Sequence, residues 1–276
     1  MNRLFLMTGL LFSCFLNAVP PGSPWVVYYG SEANTEAFEP YSLVVLDSDT
    51  YPTLEPLKER GKTLLGYMSL GSISADRSWY PKVKEAGVLI GEDKNFPGSY
   101  TVDVRNSRWT KEVIEKVIPQ ILHKGFDGLF LDTIDNPLDL ERQNPRQYGG
   151  MRDGAVKLVQ AIRLHYPNIP IMMNRAYEIL PEVAGVIDYE LSESDITTYN
   201  FKTKAYSWEP KDRLEKVLAT FNAAKSANPD LRFFALNFWN PKEEEKIKEI
   251  YEMSREHNLN PYVGTIDLDK IVPEPN

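Results

Sequence analysis

From Trp25 onward, short runs of apolar, mostly β-branched residues alternate with stretches whose apolar positions recur at helical spacing. The first kind predicts strands at Trp25–Tyr29, Leu43–Leu46, Thr63–Met68, Gly128–Leu131, Ile169–Met173, Val186–Leu191, Phe233–Phe238 and Tyr262–Ile266. Their nearly continuous apolar character is that of strands covered on both faces. A further segment, Tyr100–Val104, predicts a short extra strand. The second kind predicts helices around Val113, Ile114, Val117 and Ile121, around Ala155, Leu158, Val159 and Ile162, and around Leu214, Val217, Leu218 and Phe221. Pro119 falls inside the first and should kink or shorten it. The Glu- and Lys-rich stretch Pro241–His257 reads as a solvated helix face with i,i+4 pairs.

Eight strands in strict βα order predict an α/β fold, a single (β/α)8 TIM-type barrel over residues 25–276. Its last helix should be short or absent, because the chain ends Pro273-Glu-Pro-Asn. No G-x-G-x-x-G turn follows the first strand, which removes the dinucleotide-binding alternative. Residues 19–24, Val-Pro-Pro-Gly-Ser-Pro, read as a linker. Ahead of them, residues 1–18 (MNRLFLMTGLLFSCFLNA) carry one Arg and an apolar run too short to span a bilayer, the pattern of a secretory signal of bacterial type. Ala18 offers one cut site. Leu11-Phe12-Ser13-Cys14 resembles a lipobox and offers another, which would leave a lipid anchor on Cys14. The expected location is therefore outside the cytoplasm: periplasmic, extracellular or membrane-anchored.

Composition then narrows the chemistry. The 276 residues carry 31 Lys+Arg against 39 Asp+Glu, a net charge of −8 that gives no electrostatic footprint for nucleic acid. The lone Cys lies in the leader, so a cysteine nucleophile and a Cys-rich zinc module are both excluded. His123, His165 and His257 fall at predicted helix C-termini, where an imidazolium meets the negative end of the dipole. Serine triads and histidine zinc sites thus lose their imidazole. No phosphate-cradling G-x-x-x-x-G-K-[ST] occurs, and no cofactor or metal is called for.

A barrel enzyme builds its site at the C-terminal ends of its strands. The polar residues closing the apolar runs are Tyr28 and Tyr29, Asp47 and Asp49, Tyr67 and Ser69, Asp132 and Asp135, Asn174 and Arg175, Glu190 and Glu193, Asn237 with Trp239, and Asp267. Carboxylates, aromatics and amides make a sugar-binding palette. Asp132 ends the sharpest motif, Gly125-Phe-Asp-Gly-Leu-Phe-Leu-Asp132, whereas Asp135 before Asn-Pro reads as a cap. In Val186-Ile-Asp-Tyr-Glu190-Leu-Ser-Glu193-Ser-Asp195, crowded carboxylates should raise at least one pKa, as a general acid requires. Strand parity sends Glu190 into the barrel, where it could pair with Arg175, and leaves Glu193 on the emerging loop. Both stay in play as the catalytic acid, with Glu193 favoured by its loop-side position.

Over nearly the whole mature chain these residues resemble endo-α-1,4-polygalactosaminidase-type glycosidases, glycoside hydrolase family 114, and their uncharacterised barrel relatives. The resemblance lies in Val27-Tyr-Tyr-Gly30, Val44-Val-Leu-Asp47, Gly66-Tyr-Met-Ser69, Val102-Asp-Val-Arg105 with Trp109, Gly125–Asp132, Met173-Asn-Arg175 and the Ile187-Asp188…Glu193-Ser194 segment. It implies a carboxylate pair at Asp132 and Glu193, Glu190 then being the rival acid, and an amino-sugar polysaccharide as substrate. It also implies a retaining mechanism with Asp132 as nucleophile and Glu193 as acid/base. One departure is Gly71-Ser72, where many relatives have Gly-Glu, so a substrate contact is not carried over there. Tyr28, Tyr67, Asn174 and Trp239 are expected to contact sugar, and Asp47 a hydroxyl or amine. The loops Asp135–Gly149 and Ser194–Trp208 are expected to rim the cleft. Other readings of the same ring are a barrel that binds exopolysaccharide without cleaving it, a carboxylate–Mg²⁺ hydrolase on Asp47, Asp49 and Asp132, and a structural envelope protein. Oligomeric state is left open.

Overall fold

A computed structural model describes residues 19–49, 53–93 and 96–276. The leader and both cut sites lie outside the described residues. Eight parallel strands form the central sheet: Trp25–Tyr28, Leu43–Asp47, Thr63–Ser69, Gly128–Asp132, Ile171–Asn174, Tyr189–Glu193, Arg232–Phe238 and Asn260–Gly264. Each pairs with its sequence neighbour, so the order round the sheet is the order along the chain. The first and eighth strands meet without a ladder. Instead, the Trp25 indole donates to Asn260 O (3.0 Å) and the Tyr29 N–H to Leu268 O (2.8 Å). This is the nearly closed (β/α)8 barrel expected from the strand pattern.

Rings from the first, sixth and seventh strands meet edge to face, Trp25–Phe234 at 5.2 Å and Tyr189–Phe234 at 5.3 Å. The first and seventh strands are not neighbours, so these rings fill the barrel interior. Phe233, one residue along, stacks instead on Phe221 of the helix Lys211–Ala227. Alternate residues therefore serve the two layers, as the pleat requires. No helix follows the last strand among the described residues, in line with the expectation from the Pro-rich end.

Three local expectations shift, and a fourth, the extra strand, holds with its bounds moved. The sixth strand begins at Tyr189, three residues after Val186, and runs through Glu193. Glu193 thus closes the strand rather than standing on the loop. Asp135–Gly149 is not a plain loop but holds the helices Asp135–Gln143 and Pro145–Tyr148. Ser99–Val102 does form the extra strand, in an antiparallel three-stranded sheet with Ser72–Ser74 and Leu89–Glu92. Around Pro119 the helix is not broken: Val113–Val117 winds as a π turn before the α-helix resumes at Ile118–His123. A π turn absorbs the missing donor of a proline without ending the helix. No helix among the described residues is long and apolar enough to cross a membrane.

Candidate active site

The fourth, fifth and sixth strands end on Asp132, Asn174 and Glu193. The residue after each has a left-handed backbone although none is glycine: Thr133 at φ 61°, Arg175 at 55° and Ser194 at 58°. Such conformations cost of order 1 kcal/mol each and gather at functional sites. Here three adjacent strands turn away sharply at one level, which leaves their last side chains facing inward.

The three side chains meet. The Asn174 amide nitrogen donates to Asp132 Oδ1 at 3.0 Å and to Glu193 Oε2 at 2.5 Å. One atom therefore holds both carboxyls, and the two bonded oxygens lie no farther apart than the sum of those distances, about 5.5 Å. Neither carboxylate forms an ion pair among the described residues. Burial, then the negative charge of Asp132, push the Glu193 carboxyl up to about 7, against the pull of the Asn174 hydrogen bond and Arg175. Asn174 Oδ1 is buried without a partner among the described residues, an acceptor open to a ligand hydroxyl or amine.

Tyr67 belongs to the same site. Its ring stacks on Phe130 at 6.0 Å, and burial together with the charge and hydrogen bond of Asp132 holds its hydroxyl protonated, well above its usual range. Asp47 is nearby but engaged: Arg77 grips it with two hydrogen bonds of 2.9 and 2.7 Å and lies 5.2 Å from the Tyr67 ring. Asp49 pairs with Lys124 at 2.8 Å. With a cation already on each, Asp47 and Asp49 are poorly placed to join Asp132 around Mg²⁺. Asp135 sits 3.5 Å from Arg175 Nε, an ionic contact without hydrogen-bond alignment. Burial raises its pKa while Arg175 opposes the rise.

Of the expected sugar contacts, Tyr28 lies away from this cluster and Trp239 stands at its rim. Tyr28 points out of the barrel, its ring against Phe38 and its hydroxyl accepting the Glu32 and Ala33 N–H groups at 3.0 and 2.9 Å. Its neighbour Tyr29 takes the inward position, 5.1 Å from Tyr67, where burial and the charges of Tyr67, Asp132, Glu193 and Asp47 keep it protonated. Trp239 stands on the rim among Tyr206 and Trp208, with its indole N–H buried and unpartnered among the described residues.

Glu190 has the opposite parity from Glu193 and faces the helical layer. Its Oε1 accepts the Ala176 N–H at 2.8 Å, and burial pushes its carboxyl well above the usual range. Arg175, the partner expected for it, turns to Asp135 instead. Asp188 serves the lower end of the barrel, bound to Arg163 and to the Ile171 N–H. Asp195 is enclosed by Ser192, Tyr177 and Arg213. The crowded acidic segment thus separates into four environments, and only Glu193 faces Asp132.

Arg77 was not foreseen. The signal available was indirect: a buried carboxylate such as Asp47 needs a cation. Gly71 and Ser72, where the family pattern departs, close against the site. Both N–H groups donate to Thr133 Oγ1 at 3.1 Å, and a Cβ on Gly71 would stand 2.0 Å from Thr133 O.

Comparison with known proteins identifies the family and the fold. Residues 16–275 match the model of glycoside-hydrolase family GH114. An uncharacterised protein of Deinococcus radiodurans is 26% identical over 269 residues, covering 93% of this chain and 84% of that one. The fold superposes on the glycoside hydrolase domain of PelA from Pseudomonas aeruginosa with a TM-score of 0.79 at 20% identity, covering 91% of this chain and 98% of that one. It also matches Aspergillus fumigatus Ega3 in complex with galactosamine, with a TM-score of 0.68 at 15% identity over 92% and 95% of the two chains. The chain belongs to glycoside-hydrolase family GH114 and is a glycoside hydrolase.

Proposed function

We propose that the protein hydrolyses an α-1,4-linked galactosamine polysaccharide, cutting within the chain with retention of configuration. Asp132 is the nucleophile and Glu193 the general acid/base. The observation that carries this reading is the single Asn174 nitrogen bonded to both carboxylates. The bonded oxygens stand within about 5.5 Å of one another, a spacing that suits a retaining pair, about 5–5.5 Å.

In the first step the Asp132 carboxylate attacks the anomeric carbon while Glu193 gives its proton to the departing glycosidic oxygen, and the C–O bond breaks. In the second, the Glu193 carboxylate takes a proton from water, whose oxygen displaces Asp132 and restores both groups. The unequal proton affinities suit these roles: a carboxyl raised to about 7 is half-protonated near neutrality. Tyr67, whose hydroxyl is kept protonated by burial and by the charge of Asp132, stands ready to orient the nucleophile. Asp47 and Asp135 carry their own guanidinium partners, so the uncompensated negative charge belongs to the Asp132–Glu193 pair and favours a cationic amino sugar. The galactosamine bound to Ega3 supports the substrate class. The Met1–Ala18 leader would place the enzyme outside the cytoplasm, as a free or lipid-anchored protein.

The test is product analysis on a panel of amino-sugar and neutral polysaccharides, with Glu193→Gln as control. Oligosaccharides released from the galactosamine polymer, and none by the variant, are expected. Turnover unchanged in the variant, or cleavage confined to neutral polymers, sinks the reading.

A further inference from the structure

Two insertions stand above the catalytic end of the barrel, and their tips touch. One follows the third strand and carries Phe96; the other is the hairpin Thr197–Asn200 and Ala205–Trp208, whose turn carries Phe201. The rings of Phe96 and Phe201 meet edge to face at 6.4 Å although both are largely exposed, 57% and 66%. From Phe201 the contacts continue through Tyr199 (5.2 Å) to Tyr206 (4.8 Å) and Trp239 (6.0 Å). Tyr206 is tied to the end of the eighth strand by the Ile266 N–H, and Thr197 to the end of the seventh by Phe238 O. In a ring of eight, the gap between the third and fourth strands lies opposite the gap between the seventh and eighth. The file of rings thus joins the insertion that leaves the third strand to the ends of the seventh and eighth strands, which rise on the opposite side of the barrel.

We propose that Phe96 and Phe201 form a latch that covers the substrate cleft and must part to admit the interior of a polysaccharide. The rings pack on one another rather than presenting coplanar faces to sugar, so they join the insertions instead of making a stacking platform. Burying so little apolar surface, the pair is the weakest link in the file and can open and reclose. Closed, it holds a bound chain; open, it lets a chain enter sideways. The inference rests on the polysaccharide hydrolase reading above.

The test is a Phe96→Cys/Phe201→Cys double variant, with Cys14→Ser, bridged by a short bifunctional methanethiosulfonate that dithiothreitol removes. Bridging in most molecules without sugar is expected, and failure to bridge overturns the latch whatever the substrate. The bridged enzyme should cleave long galactosamine polymer at least tenfold more slowly than the reduced form, yet cleave a short galactosamine oligosaccharide at an unchanged rate. Polymer cleavage equal in both forms, or equal loss on both substrates, overturns the proposal. High bridging with no cleavage of either substrate by the unmodified protein counts instead against the substrate reading.

Discussion

The two ends of the barrel treat their carboxylates differently. At the lower end, Asp188 accepts the Ile171 N–H at 2.8 Å and Arg163 at 2.6 Å, while Asp127 accepts the Leu64 N–H at 2.9 Å and faces Lys58. A cavity of about 1030 Å³ opens there, lined by Tyr189, Arg232, Phe234 and Asn258 among others. At the upper end, Asp132 and Glu193 share the Asn174 amide donor and form no ion pair among the described residues. The cavity lies at the end opposite the proposed catalytic pair. Lower carboxylates are satisfied and hold strands in register; upper ones are held against each other, at a cost in stability, and that tension is what acid–base chemistry uses.

The comparison breaks most decisively by substitution. Asp132→Asn and Glu193→Gln should each lower kcat by about a thousandfold or more, as removal of a reacting carboxyl does. Equal turnover in either variant moves the chemistry elsewhere. The next effect is on stability. Because the folded pKa of Glu193 is raised, the folded state binds its proton more tightly than the unfolded chain does, so stability is lost as pH rises from about 4.5 to about 7. Glu193→Gln should therefore be more stable than the parent by about 3 kcal/mol at pH 8 and no different at pH 4, measured by urea unfolding. A variant less stable at pH 8 contradicts the stored tension. Asn174→Ala should lower turnover about tenfold by releasing the pair. It also removes a bond that favours the Glu193 anion, so the alkaline limb of kcat/KM should move up in pH; a downward shift contradicts its role. Smallest is the lower-end control: Asp188→Asn should cost about 1 kcal/mol of stability, with kcat within about twofold of the parent.

Much of this was legible in the chain. Continuous apolar runs in βα alternation marked the barrel because strands covered on both faces leave that trace. Asp132 was legible because Gly128-Leu-Phe-Leu delivers it without ambiguity of register. The sixth strand was harder. Val186 and Ile187 look like its beginning but lie before it, Ile187 packed in the core, and a displaced start moved Glu193 from loop to strand end. The alternation itself is unchanged, but Tyr189 packs on Phe234 in the barrel interior, which puts Glu193 on the inner face and Glu190 towards the helices. Tyr28 and Tyr29 posed the same problem, since nothing in two adjacent tyrosines says which one points inward. The left-handed Thr133, Arg175 and Ser194 left no trace at all: each is an ordinary residue forced into a rare conformation by its surroundings.

The most direct test of the Asp132–Glu193 pair is azide rescue on an activated α-galactosaminide, read by NMR. Glu193→Ala leaves the nucleophile in place, so azide should replace water in the second step and give the α-glycosyl azide. Asp132→Ala leaves a space where azide attacks directly, giving the β-glycosyl azide. The opposite pairing of variants and products, or one anomer from both, would contradict the assignment.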